Sequence, residues 1–465
     1  MRKGLTIMSV LIFVILAGLA FVIVWVAVNP TSTGTTTNGG TLDLSFKPFT
    51  LNELLHNKTK VDLATSGKRI HSAKFVQIEA QTSKIRGLPL KNQVPLVEAS
   101  EGLIKYQLIQ SSLDQKSIDQ TVASEKVLKA MGLLKPTDNL STILTDVLTE
   151  QIAGSYDPET KEITIVKGKG LGSATDEITM SHEVTHALQD QNFGLTKPPL
   201  ENKDYNSDED TGVTSLIEGD ATDTMYEYAK TYLTTAQILQ IQQESSTIKS
   251  PQLDKAPLYI KRGLLFPYDT GLSFVQGIKS DAGGEPEVDN ALRNPPLSTQ
   301  LIMHPSLFPS GQHQPKPVTL PDITTSLGKG WKQIDNDTLG EFDIQIWFEQ
   351  FVDKATGDDV GDGWSGNTVQ YYQGPGKNYV FPNETVWLVP EDAQLFFSDY
   401  VKLLQSRFGS ALKKVGSTQT SYLYQAGPVF FYAGINGSTT LALQATSRDM
   451  LNKALANYAN MAAVQ

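Results

Sequence analysis

Residues 174–191 read ATDEITMSHEVTHALQDQ, and the pentad His182-Glu183-Val184-Thr185-His186 inside them governs the reading of the whole chain. The stretch has the marks of a helix: Ser173 or Thr175 is able to cap it, and Asp176 and Glu177 fall in its first turn, where acids complement the helix dipole. Positions i and i+4 share a helix face, so the two imidazoles can converge on one metal ion while Glu183 leans over its open side. The chain has no cysteine, so any such ion must rest on His, Asp or Glu. Neutral imidazole suits Zn²⁺, and three protein ligands leave a fourth position for a water whose pKa falls to about 7. Glu183 would take that water's proton as it attacks a carbonyl, then deliver it to the leaving amine.

A third ligand has to come from elsewhere. A second histidine-bearing extension of the pentad is excluded, because Gln189 and Asn192 stand where the metzincin pattern needs Gly and His. The best candidate is Glu218, in Leu216-Ile217-Glu218-Gly219-Asp220, near the start of a helix expected over 213–234. An acid following apolar residues there can face inward, and Gly219 would let that helix approach the first closely. Asp220 or Asp223 could orient a ligand histidine through its other ring nitrogen, and both are alternative ligands.

HExxH with a Glu on a following helix resembles the gluzincin zinc metallopeptidases, the thermolysin-like group. The likeness is closer to poorly characterised membrane-anchored bacterial proteins of this type. It rests on AGSYDPETKEITIV, SHEVTHALQDQNF, LIEGDAT, LLFPYDTGLSFV, PPLSTQLIMHP and GDGWSGNTVQYY, which occur in this order and span most of residues 150–372. The resemblance implies a zincin-like core in which His182, His186 and Glu218 are the ligands and Glu183 is the general base. Thermolysin-like enzymes place an Asp four residues after the Glu ligand, where this chain has Thr222. Gluzincins often aim a His or Tyr at the oxyanion. His304, in an expected irregular segment and followed by Pro305, is the choice for that catalytic role, with Tyr268 competing. Zincin architecture also implies that the strand at 163–166 lines the cleft and bonds an extended substrate.

Outward from these motifs, the formal charge of -11 argues against a nucleic-acid partner held by phosphate contacts. The apolar run at 5–28 is long enough, at about 1.5 Å per residue, to cross a ~30 Å hydrocarbon core. Arg2 and Lys3 before it favour a cytoplasmic N-terminus, which places everything after it outside the cell membrane. The expected plan is a cytoplasmic tip at 1–4, a transmembrane anchor at 5–28, a Thr/Gly-rich linker at 29–45, a zincin-like catalytic region at 46–330 and a C-terminal α+β region at 331–465 packed on it.

Within that α+β plan, AKFVQIEA at 73–80 reads as a strand, Pro267 as a break in a buried helix, and 283–321 as irregular. Thr338 to Glu341 matches a capping box ahead of a helix. Strands are expected at VQYYQ, TVWLVP, SYLYQ, VFFYAGI and TTLALQA. Asp358, Asp359 and Asp362 read as a solvated turn, and Trp331, Trp347, Trp364 and Trp387 as core. The function implied is a membrane-anchored, extracytoplasmic, Zn²⁺-dependent peptidase acting on peptide or protein substrates. The alternative is a catalytically silent zinc-containing protein that binds peptides or scaffolds the envelope, and the retained Glu183 argues for the enzyme.

Overall fold

The structure is a computed structural model that describes residues 67–104, 115–150, 154–168, 171–308, 314–461 and 464. The tip, anchor and linker expected at 1–4, 5–28 and 29–45 lie outside these residues. Among the described residues no helix is long and apolar enough to cross a membrane.

Four short strands, β1 (Lys68–Ile70), β2 (Leu96–Ala99), β3 (Gly154–Asp157) and β4 (Glu162–Val166), form a sheet in the order β1-β2-β4-β3. The β3–β4 hairpin turns on Asp157, whose side chain accepts the Glu159 N–H at 2.8 Å, and on Lys161 at φ 60°. The expected cleft strand is β4, but β4 is hydrogen-bonded on both sides, by parallel β2 and antiparallel β3. The edges of the sheet are β1 and β3, and β3 is the one beside β4.

Four helices carry or brace the HExxH segment: α1 (Ala73–Arg86), α2 (Ala174–Phe193), α3 (Ser207–Tyr232) and α4 (Leu258–Ala282). The expectation of a strand at 73–80 is overturned, since Ser72 caps α1 and Phe75, Ile78, Thr82 and Arg86 are its buried stripe. Their three- and four-residue spacing is helical, and the local alternation that suggested a strand covers too few residues to compete with it. Helix α3 starts six residues earlier than expected, because Asn206 and Glu209 form its capping box. Glu218 therefore sits roughly three turns inside the helix, not near its start.

Helix α4 runs unbroken through Pro267. An internal proline forfeits one backbone bond and costs ~3 kcal/mol. Here Phe266, Tyr268, Leu272, Phe274 and Val275 are all buried around it, and that packing offsets the loss. The stretch at 283–321 is not irregular throughout. It holds the helix Glu285–Arg293, with Val288, Ala291 and Leu292 buried, and a short helix α5 (Thr299–Met303) capped by Ser298.

Helices α3 and α4 touch backbone to backbone. A Cβ added at Gly219 would lie 2.2 Å from the Gly271 carbonyl oxygen, and one added at Gly271 would lie 2.2 Å from that of Ser215. Gly219→Ala should therefore force the helices apart, at a cost of at least ~1–3 kcal/mol, with a lower denaturation midpoint. An unchanged midpoint would show that the crossing is not tight.

The second half begins with β5 (Lys332–Asp337), α6 (Glu341–Phe351) and α7 (Lys354–Asp362). The cap of α6 is Gly340, whose N–H is held by Asp343 at 2.9 Å, so the expected Thr338–Glu341 box is displaced by two residues. Asp358, Asp359 and Asp362 belong to helix α7 rather than to a turn. Then come β6 (Trp364–Gln373), β7 (Tyr379–Trp387), α8 (Pro390–Phe408), β8 (Lys413–Ser417), β9 (Ser421–Ala426), β10 (Val429–Asn436) and β11 (Thr439–Ala445).

The strands from β5 onward make an antiparallel sheet in the order β5-β6-β7-β11-β10-β9-β8. The β10–β11 connection is a two-residue loop, Gly437-Ser438, entered from Asn436, and Gly437 takes φ 57° as such a turn requires. Both faces of the sheet are covered. Leu441, Leu443 and Ala445 join Ile323, Trp331 and Leu451 on one side, while Ala442 lies in the larger core that also holds Trp347, Trp364, Trp387 and Phe396. That larger core continues without interruption to Ile178, Val184 and Leu216 around the HExxH helix.

Candidate metal centre

Helix α2 is buried on nearly every side from Glu177 to Asp190, although its composition is polar. Its start is fixed by a reciprocal cap: Ser173 Oγ accepts the Asp176 N–H at 3.0 Å and Asp176 Oδ2 accepts the Ser173 N–H at 3.1 Å. Its middle places His182, Glu183 and His186 at 2% exposure or less, and α3 brings in Glu218 at 1%.

The three expected ligands converge. Nε2 of His182 lies 3.1 Å from Glu218 Oε2, Nε2 of His186 lies 3.5 Å from the same oxygen, and the two Nε2 atoms are 3.0 Å apart. A tetrahedral zinc with bonds of about 2.0–2.1 Å needs donor atoms separated by about 3.3 Å. The observed separations bracket that value, so the donor set fits a zinc ion without rearrangement. Glu183 Oε1 and Glu218 Oε1 are buried with no hydrogen-bond partner, as expected of carboxylate oxygens grouped to face a cation.

The tautomer of His186 follows from its neighbours. Gln189 Nε2 donates to the Ile217 carbonyl at 2.9 Å and to Asp220 Oδ2 at 2.8 Å, which leaves its Oε1 to face His186 Nδ1 at 2.9 Å. His186 Nδ1 must therefore carry the proton, and its Nε2 lone pair points at the centre. Asp220 in turn accepts from Arg86 Nε at 2.6 Å, and Arg86 also meets Asp289 at 2.8 Å and Glu285 at 3.1 Å.

Asp220 thus supports His186 through Gln189 rather than by direct contact, while Asp223 accepts from Gln276 at 3.1 Å and Lys279 at 2.7 Å instead. Neither acid is placed as a ligand. Gln189 and Arg86 were missed by the sequence reading. Gln189 was legible as the residue three past His186 on the same helix face, whereas nothing local marked Arg86.

The charge states of these four side chains are set by burial and by one another. Burial pushes the Glu183 carboxyl up to about 8, opposed by the nearby His186. Burial would also raise Glu218, but the two neighbouring histidines, His186 first, outweigh it and lower it to about 2. Burial depresses His182, against the pull of Glu218. In His186 the burial effect is overcome by Glu218, and the net shift is upward. Glu183 Oε2 accepts the backbone N–H of Tyr156 on edge strand β3, which sets the carboxylate between that strand and the ligands.

The two candidates for the oxyanion role separate cleanly. Tyr268 lies beside the centre, its ring stacked on His182 at a centroid distance of 6.3 Å and its hydroxyl facing Glu218. His304 does not join the centre, contrary to expectation. Its Nε2 is bonded to Glu341 at 2.8 Å and lies 3.9 Å from Asp362. The neighbouring Pro305 packs over Gly277, nine residues beyond Tyr268 along α4 and so about 13 Å farther along that helix. A separate polar cavity of about 670 Å³ lies between the N-terminus of α3, β5 and β6, and contains none of the four HExxH-site residues.

Among known proteins, residues 327–454 match the model of a domain of unknown function, DUF8575. The match includes Glu341 and Asp362 but none of His182, Glu183, His186 and Glu218. No curated protein and no solved structure matches the chain.

Proposed function

We propose that the chain is a zinc-dependent peptidase, anchored in the cell membrane by residues 5–28 with its catalytic body outside. The observation that carries this reading is the mutual spacing of the three donor atoms, 3.0, 3.1 and 3.5 Å, with Glu183 immediately beside them. Bound zinc would supply Lewis acidity and a water acidic enough to be deprotonated near neutral pH. Everything else falls to the chain's own groups. Glu183 takes a proton from the attacking water through its unpartnered Oε1 and passes it to the leaving nitrogen. Tyr268, whose hydroxyl now faces Glu218, takes the place of His304 as the group that would turn to donate to the oxyanion. Edge strand β3 runs beside Glu183, which takes its Tyr156 N–H, and its remaining outward main-chain groups would bond an extended peptide, the role expected for the strand at 163–166.

The test is the purified full-length chain in detergent, given a diverse peptide mixture before and after chelation. Cleavage should disappear with the chelator and return with Zn²⁺. A zinc-loaded chain that binds peptides but never cuts them would replace the enzyme with the silent binding protein.

A further inference from the structure

We propose a second divalent-cation site, formed by His304, Glu341 and Asp362, that ties the HExxH half of the chain to the half containing the seven-stranded sheet. The three residues come from three elements. His304 ends α5, Glu341 opens α6 and Asp362 closes α7. One donor atom from each lies within 4.8 Å of the other two.

A hydrogen-bonded His–Glu pair alone does not account for this arrangement. Glu341 is fully buried, its Oε1 meets His304 at 2.8 Å and Gln345 at 3.2 Å, and Gln300 also adjoins the carboxylate. Its Oε2 is buried without a partner, an expensive state for a carboxylate. Asp362 brings a second negative charge toward the same imidazole nitrogen, from the C-terminus of α7, where the helix dipole disfavours acids. Among the described residues, neither carboxylate is paired with a lysine or arginine. A dication held between the three side chains, with both Glu341 oxygens facing it, would balance both charges and give Oε2 a partner.

The donor set sets the ion's class. One imidazole with two carboxylates favours a first-row transition dication such as Zn²⁺ over Mg²⁺ or Ca²⁺, which prefer all-oxygen sites. Zinc bonds of about 2.0–2.2 Å require donors roughly 3.3 Å apart. His304 and Glu341 are already near that distance. Asp362, 68% exposed at a helix end, lies 3.9 Å from His304 Nε2 and has to move inward to complete the set.

This site stands independently of the catalytic reading, and zinc stoichiometry separates the two. The full-length chain is dialysed against buffered Zn²⁺ and bound metal is counted in the wild type, His186→Ala, His304→Gln and Asp362→Asn. Two equivalents are expected in the wild type and one in His186→Ala. In Asp362→Asn, where the substitution is exposed and should not disturb folding, affinity for the second equivalent should fall at least tenfold, and His304→Gln should behave alike. A wild type holding one equivalent that His186→Ala removes would overturn the second site. One equivalent that survives His186→Ala and is lost with His304→Gln would uphold it and sink the HExxH centre instead.

Discussion

Glu183→Gln should leave the chain folded and zinc-loaded while peptide hydrolysis falls by about 10²- to 10⁴-fold, the usual contribution of a positioned acid–base group. The substitution is nearly isosteric, and the amide oxygen of Gln can still accept the Tyr156 N–H that now anchors Glu183 Oε2. What it removes is the ability to take up and release a proton at Oε1. The side chain is not among the three converging donors, so the metal count should not change. Single-turnover cleavage and zinc content measured on the same preparation decide the matter. Normal turnover would end the proposed mechanism, and loss of zinc would mean that Glu183 is a ligand.

Arg86→Met should produce the largest loss of stability, about 3–5 kcal/mol, because it strands the buried Asp220 carboxylate without its counter-charge. Arg86 is 1% exposed, and Asp220, its closest partner, is almost as deeply enclosed. Burial alone would lower the Arg86 pKa, but Asp220, Glu285 and Asp289 outweigh it, so the net shift is upward and the guanidinium stays charged. Asp220 also holds Gln189, which holds the Nδ1 proton of His186. The same substitution should therefore weaken zinc binding by about 10- to 100-fold, as loss of outer support for a ligand histidine typically does. Urea denaturation and zinc competition give the two readouts. Reduced stability with unaltered zinc affinity would show that the Arg86–Asp220–Gln189 chain braces the fold without tuning the ligand.

The C-terminal strands were legible because VQYYQ, SYLYQ, VFFYAGI and TTLALQA combine β-branched and aromatic residues with turn signals between them, and each falls within a strand of the seven-stranded sheet. The helix at 73–86 was not, because a short run of mixed apolar and polar residues fits both periods until its buried neighbours are known. Pro267 misled for a related reason: local propensity says break, and surrounding packing says continue.

At the centre itself, the sequence alone determined which side chains had the right chemistry. The i, i+4 geometry of a helix is local, so His182, Glu183 and His186 could be placed together from spacing, and Glu218 stood out as an acid in an apolar setting. Only the tertiary structure decided what lies across from them. It replaced a direct Asp–His contact with the Gln189–Asp220–Arg86 chain, put Tyr268 at the centre, and moved His304 to Glu341 and Asp362. Those partners are separated by 31 residues in one case and 134 in another. No periodic pattern encodes contacts at such separations, because they arise from how helices cross and which strand is left at the edge of a sheet.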